Sequence, residues 1–373
     1  MPVPPPSPGS ATSRRPHRAA RVEDRVNRAV VRVLRGRGWT ERVEAYAGYG
    51  GPGWVRVMAR VVLAAPVVQD DELPGAGSAE QTGAEEAPRV RGWRSFLTAQ
   101  VPDGHLVAHV GGLTHRLAGD RGGYVDAVVP ADLPPGWHDV PLESSDGRSS
   151  TARVLVVAAE QRTGLVSDID DTVMVTRLPR PLVAAWNSLV RSEAARETIP
   201  GMADLYAGIT GGDPGVPVVY LSTGAWNAAP ALARFLRRHR YPAGPMLLTD
   251  WGPTNTGWFR SGKEHKVAQL ERLVAELPDV RWVLVGDDGQ RDPEVYSGVV
   301  QRHRSHVRAV LIRQLTFAEH VLAHGAPVPT PTPRRRGPGG TVALAPRADD
   351  VAVLQGPDGD ALLREARERG LVG

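Results

Sequence analysis

GLVSDIDDT, residues 164–172, decides the fold: a short apolar run breaks off into Ser167, Asp168, Asp170, Asp171 and Thr172. An apolar run without alternation reads as a strand covered on both faces, the grammar of a parallel sheet. Four further runs follow, VPVVYLST (216–223), PMLLTD (245–250), VRWVLVGDD (280–288) and VRAVLIRQL (307–315). Helical stretches such as 228–238 and 264–277 lie between them. Strand and helix alternating in this way predict a doubly wound, Rossmann-like parallel α/β domain over residues 160–324.

In open α/β sheets the ligand crevice lies at the carboxyl ends of the strands, so the acids of SDIDDT point into it. Three carboxylates in four residues repel one another and lose hydration there, and a bound cation relieves both costs. A second acidic group, Asp287, Asp288 and Asp292 in GDDGQRD, ends a later strand in the same way. Two acidic strand ends facing one crevice predict an all-oxygen Mg2+ site, with Asp168, Asp170, Asp287, Asp288 and Asp292 as candidate ligands. Between them, VVYLST ends in Ser222 and Thr223, hydroxyl and N–H groups suited to phosphoryl oxygens. Lys266 opens the helix before the GDD strand. Of the 45 basic Lys and Arg residues only Lys263 and Lys266 are lysine. A compact ammonium fits a tight phosphate site where a planar guanidinium does not. Of the two, Lys266 in EHK is preferred for the site and Lys263 for the surface.

The order acid pair, hydroxyl, lysine, acid pair matches the haloacid dehalogenase superfamily of phosphotransferases, whose first motif resembles DxDx[TV]. More closely, SDIDDTV, IPGMADLY, YLSTGAWN, EHK and VGDDGQRDPEVY resemble the catalytic domain of the actin-patch-associated phosphatidate phosphatase family, over about residues 160–318. The resemblance implies a haloacid dehalogenase-like fold and an Mg2+-dependent phosphatase. It implies Asp168 as nucleophile, Asp170 as acid and base, Thr172, Ser222, Thr223 and Lys266 around the phosphoryl group, and Asp287 with Asp288 or Asp292 at the metal. It departs at STGAWN, where the family's second motif contains more Ser and Pro. The implied substrate is phosphatidate, cleaved to diacylglycerol and phosphate. The stretch 173–217 is too short for a large cap domain, so an open site is expected. Trp226, Trp251, Trp258 and Phe259 are candidates to touch lipid beside it, or to be buried. Two other readings stay open: a phosphatase of a soluble or protein phosphomonoester, and a non-catalytic lipid-binding scaffold.

Outward from this domain, residues 51–159 alternate in short strands such as WVRVMARVVLA and TARVLVVA, which predicts a β-sandwich. An acidic, Gly-rich stretch between Gln69 and Arg91 reads as a loop within it. Residues 1–19 are Pro- and Arg-rich and expected to be disordered. Residues 20–50 are assigned to a basic amphipathic helix, with Val22, Val26, Ala29, Val30 and Val33 on one face and Arg25, Arg28, Arg32 and Arg35 on another. Ten Arg stand against three acids in residues 1–42, so the calculated pI of 9.7 is largely an N-terminal property. Such a helix can lie on an anionic membrane or pack on its own domain. Charge alone gives only nonspecific affinity for nucleic acid, so no specific nucleic-acid partner is expected. Residues 325–373 read as a Pro/Arg-rich linker and tail ending in one isolated helix, DGDALLREARERG.

Composition closes other routes. The chain of 373 residues is long enough for two or three domains and contains no cysteine. Disulfides and thiolate chemistry are thereby excluded. No apolar run reaches the length of a membrane span, and the first twenty residues lack the apolar core of a signal peptide, so a cytoplasmic protein with at most peripheral membrane contact is expected. Gly48, Gly50 and Gly53 fit GxGxxG but precede a strand rather than a helix. GWFRSGK (257–263) has Walker spacing but continues with Glu264 where a hydroxyl is required. GxSxG and HExxH are absent.

Overall fold

The computed structural model describes residues 28–65, 98–175, 197–249, 262–316, 319 and 351–372, which form two sheets. The first contains β1 (Thr40–Gly51), β2 (Trp54–Ala64), β3 (Thr98–Gln100), β4 (His105–Val110), β5 (Leu113–Ala118), β6 (Tyr124–Pro130), β7 (Gly136–Ser144) and β8 (Ser149–Val156). They run in the order β3-β2-β1-β8-β7-β4-β5, with β6 also on β2. All pairs are antiparallel except β1 with β8. The β-rich character is as expected, but the strands form one continuous curled sheet rather than two separate facing ones. The loop expected between Gln69 and Arg91 lies outside the described residues.

The helix expected over 20–50 is helical across 28–36 only, and its earlier part lies outside the described residues. Gly36 and Gly38 stop it, the latter at a φ of 81°, and β1 occupies Thr40–Gly51. The β domain therefore begins before residue 51. Val31 is buried in the sheet's own core with Leu34 packed against it, whereas Val30 and Val33 are 43% and 53% exposed. The helix thus uses one apolar pair inward and presents another outward beside exposed Arg28 and Arg32.

The second sheet is parallel throughout, with the order β11-β10-β9-β12-β13-β14. Its strands are β9 (Thr163–Ser167), β10 (Val218–Ala225), β11 (Met246–Thr249), β12 (Arg281–Asp287), β13 (Val307–Arg313) and β14 (Ala352–Gly356). Helices α1 (Met202–Thr210), α2 (Ala229–Arg238), α3 (Gly262–Glu276), α4 (Asp292–His303) and α5 (Gly359–Glu368) connect and flank them. α1 packs on α5, and α3 on α4. The chain moves outward from β9 to β11 and then returns to β12 on the other side of β9. That reversal opens a crevice at the carboxyl ends of β9 and β12, where Asp168 and Asp287 stand.

The C-terminal tail departs from expectation. Ala352–Gly356 pairs with β13 as a sixth parallel strand, and α5 packs on α1. The helix is capped by Asp358, whose Oδ1 accepts from the Ala361 N–H at 2.8 Å. Its first residue is Gly359 because a Cβ there would lie 2.2 Å from the Gly201 carbonyl carbon and from the Met202 nitrogen. Gly359→Ala is expected to destabilise the protein by about 1–3 kcal/mol, through overpacking at a contact between backbones. Urea denaturation of the full chain measures it; a change below about 0.5 kcal/mol would show that α5 does not dock this closely.

β2 has two buried faces. Val55, Val57, Ala59, Val61 and Leu63 join the first sheet's core, while Trp54 and Met58 join a larger core shared with the α/β part. Arg56 and Arg60 lie on the latter face and are buried as well.

Candidate active site

Four of the predicted residues meet at the crevice, and all four are buried: Asp168, Lys266, Asp287 and Asp292. Asp168 leaves the end of β9 with its N–H donating to the Val285 carbonyl of β12 at 2.9 Å. Asp287 closes β12, and Asp292 opens α4. Lys266, in the second turn of α3, donates to Asp168 Oδ1 at 2.7 Å and to Asp292 Oδ1. One ligand oxygen from each of Asp168, Asp287 and Asp292 lies within 4.8 Å of the others. Gly286 makes room for this arrangement, since a Cβ there would sit 2.6 Å from Asp292 Oδ2.

The remaining polar atoms of the group are mostly anchored. Asp287 Oδ1 accepts from the Gly289 N–H at 2.8 Å, Thr172 Oγ1 lies 3.5 Å from Asp287 Oδ2, and Asp292 Oδ2 lies 3.4 Å from the Asp287 N–H. Asp168 Oδ2 is the exception: it is buried and has no hydrogen-bond partner. An unpaired carboxylate oxygen in the interior is costly unless something absent from the protein itself takes it up.

Burial pushes the Asp168 carboxyl well above the ordinary carboxylate range, and Asp292, Asp287 and Asp170 add to the effect while Lys266 opposes it. Burial and the adjacent Asp292 do the same to Asp287, again against Lys266. Burial works against the ammonium of Lys266, but Asp168 and Asp292 overcome it, so its affinity for the proton rises. Three carboxylates against one ammonium leave a formal charge of −2 in a closed space. Hard oxygen donors with that excess suit a divalent cation such as Mg2+, and the unpaired Asp168 Oδ2 supplies a free ligand position.

Asp170 stands apart from these three. It is half-buried, and its Oδ2 accepts from Ser222 Oγ at 3.0 Å while its carbonyl accepts from Gln290 Nε2 at 3.3 Å. Ser222 is held in turn by the Gly224 N–H at 2.9 Å. Thr223 is half-buried beside Ser222, and its carbonyl accepts from Thr249 Oγ1 at 2.7 Å. Asp288 points elsewhere: its Oδ1 accepts from the Leu315 N–H at 2.8 Å. Lys263 pairs with Glu294 at the surface, as expected of the second lysine. Trp226 packs on Tyr46, whereas Trp251, Trp258 and Phe259 lie outside the described residues.

Several supporting residues escaped sequence reasoning. Asp171 adopts a left-handed φ of 57°, and Arg313 at the end of β13 fixes it by donating from Nη1 to its carbonyl at 2.7 Å. The same guanidinium donates to the Pro357 carbonyl and to Glu319, tying the C-terminal strand–helix unit to the loop that follows β9. Tyr206 of α1 bonds Ser167, whose Oγ donates to the Asp168 carbonyl at 2.6 Å. Tyr296 donates to the Val285 carbonyl at 2.9 Å. A buried tyrosine beneath a strand end was the available signal, but many tyrosines are buried without this role.

Residues 163–314 match the catalytic domain of phosphatidate phosphatase APP1. This segment belongs to the APP1 catalytic-domain family. Phosphatidate phosphatase APP1 of Saccharomyces cerevisiae is 22% identical over 233 residues, which cover 59% of this chain and 39% of the yeast protein. An uncharacterised Schizosaccharomyces pombe protein is 23% identical over 175 residues, covering 46% of this chain and 29% of its own. The chain thus spans well under half the length of either relative. Among solved structures, a carbohydrate acetylesterase from Xanthomonas citri aligns over 76% of this chain and 74% of its own at 10% identity and a TM-score of 0.27, too low to inform the fold. The APP1-type segment ends before β14 and α5, so the sixth strand lies beyond the matched region.

Proposed function

We propose that this chain is an Mg2+-dependent phosphatidate phosphatase of haloacid dehalogenase type. The observation that carries the proposal is the buried Asp168–Lys266–Asp287–Asp292 group, with one unpaired Asp168 oxygen, inside an APP1-type domain. Asp168, Asp287 and Asp292 would hold the ion, which when bound screens the anionic nucleophile from the anionic phosphate. Asp168 attacks phosphorus and the ester P–O bond breaks, giving an aspartyl-phosphate. Asp170 delivers a proton to the departing alkoxide, here that of diacylglycerol. It then takes a proton from water, which attacks phosphorus and releases phosphate with Asp168 regenerated. Ser222 shares a hydrogen bond with Asp170 and faces the same crevice, so it orients the acid and the phosphoryl oxygens together. Lys266 stabilises charge on the transferring group, commonly the largest catalytic contribution. The outward Val30 and Val33, on a helix that also exposes Arg28 and Arg32, support a peripheral contact with an anionic membrane. No helix among the described residues is long and apolar enough to cross one.

The test is phosphate release from phosphatidate in mixed micelles and from a water-soluble aryl phosphate, each with Mg2+ and with chelator. Mg2+-dependent release from phosphatidate supports reaction and substrate. Release from the aryl ester alone refutes the lipid assignment, and release from neither refutes the enzyme. The charge imbalance gives a second readout. Asp287→Asn is expected to raise the melting temperature of chelator-treated protein by about 2–4 °C, because one of three crowded buried charges is removed. The same variant should lose the rise in melting temperature that Mg2+ gives the parent. An unaltered Mg2+ response would remove Asp287 from the metal site.

A further inference from the structure

Helix α3 carries the site's lysine near one end and Glu276 at the other, ten residues on and about 15 Å along the axis. Glu276 is buried, and the first sheet grips it. Arg56 of β2 donates from Nε to Oε2 at 3.3 Å and from Nη2 to Oε1, so one guanidinium spans both carboxylate oxygens. Tyr49 of β1 donates to Oε2 at 2.6 Å. The third Arg56 nitrogen, Nη1, pairs with Asp126 of β6, whose other oxygen accepts from Arg272 at 2.7 Å, one turn back along α3. Higher on the same two strands a second contact forms. Tyr124 stands opposite Arg60 in the β2–β6 register, and the Arg60 guanidinium lies 4.4 Å from its ring centre. Trp226, directly after β10, stacks on Tyr46 at 4.7 Å and against Tyr124 at 5.6 Å.

Burying this many charges carries a large desolvation cost, and apolar side chains of the same size would hold two surfaces together as well. What a bidentate fork adds is direction, since it tolerates neither sliding nor rotation of its partner. The helix so fixed is the one whose other end must bring Nζ to two carboxylates at once. The strand end fixed by Trp226 is the one that carries Ser222.

We infer that the N-terminal sheet is part of the catalytic apparatus: Arg56, through Glu276, positions Lys266, and Tyr46 and Tyr124, through Trp226, position Ser222. This placement rests on the phosphatase reading for the work that Lys266 and Ser222 do, but not for the geometry itself. Positional errors near 1 Å at reacting groups cost up to about 100-fold, so a loosened clamp appears in kcat before it appears in KM.

The test uses the full chain carrying Arg56→Met, Trp226→Ala and the conservative Trp226→Phe. Aryl phosphate turnover and amide hydrogen exchange are followed below each variant's melting transition. Arg56→Met is expected to lower kcat about tenfold with KM within about twofold, and to speed exchange in residues 262–270 relative to the rest of the α/β part. Trp226→Ala should lower kcat similarly, and Trp226→Phe should restore most of it. Glu276→Gln, which keeps the shape and weakens the fork, replaces Arg56→Met should that protein not fold, with the same expected result. A lowered melting temperature with parental kcat and parental exchange in 262–270 would overturn the inference and leave the clamp merely structural. If the parent releases phosphate from neither aryl phosphate nor phosphatidate the phosphatase reading fails, and the exchange measurement alone decides the placement: faster exchange in 262–270 supports it, and no change overturns it.

Discussion

Asp168→Asn is expected to reduce phosphate release by at least about 10³-fold while the protein remains folded. The amide oxygen can still accept from Lys266, so the side chain keeps its place, but neither of its remaining atoms attacks phosphorus as a carboxylate does. The variant also removes one charge from a group whose burial already disfavours ionisation at this residue. Its melting temperature without metal should therefore equal or exceed the parent's. Single-turnover phosphate release with a parallel thermal melt separates the two effects. Activity within tenfold of the parent would exclude Asp168 as nucleophile, and lost activity with lost structure would attribute the defect to folding.

Lys266→Met has the opposite signature, because it harms both properties. Asp168 and Asp292 then face each other in the interior with no opposing charge, a change expected to cost about 3–5 kcal/mol in stability. Catalysis should fall about 10²–10³-fold as charge on the transferring oxygens goes unopposed. Lys266→Arg should rescue little, since the guanidinium is planar and wider than the slot between two carboxylates. Mg2+ should recover part of the lost stability in Lys266→Met by supplying positive charge to the same three acids. Guanidinium denaturation with and without Mg2+ measures this, and a variant as stable as the parent would show that the two acids are neutral in the folded protein.

Much of this site was legible because strand ends are legible. Unalternating apolar runs that stop in acids gave β9 and β12, and the two lone lysines in an Arg-filled chain directed attention to Lys266. Other features depend on direction, which sequence spacing does not carry. Asp287 and Asp288 are adjacent, yet one enters the cluster and the other turns to the Leu315 N–H. Asp168 and Asp170 are two apart, but the chain leaves its strand between them, and only Asp168 reaches Lys266. Arg56 and Arg60 sit at alternate positions of β2, the pattern of a strand with one wet face. Nothing local announces that a second core covers that face. The strand at Ala352–Gly356 follows a Pro- and Arg-rich stretch, and five residues pair stably only because β13 already offers an open edge.

That edge pairing has a practical bearing on how the protein is handled. A fragment cut to the matched segment, or anywhere before residue 351, leaves β13 with a row of unmet N–H and C=O groups and Arg313 without its Pro357 acceptor. Exposed edges of this kind recruit other strands, so such fragments are prone to self-associate. A single nick between residues 319 and 351 in the intact chain would act differently. The two pieces would stay together through the strand pairing and the α1–α5 packing, co-eluting as one particle and separating only under denaturant, so that an assay of the native sample would not reveal that the backbone had been severed.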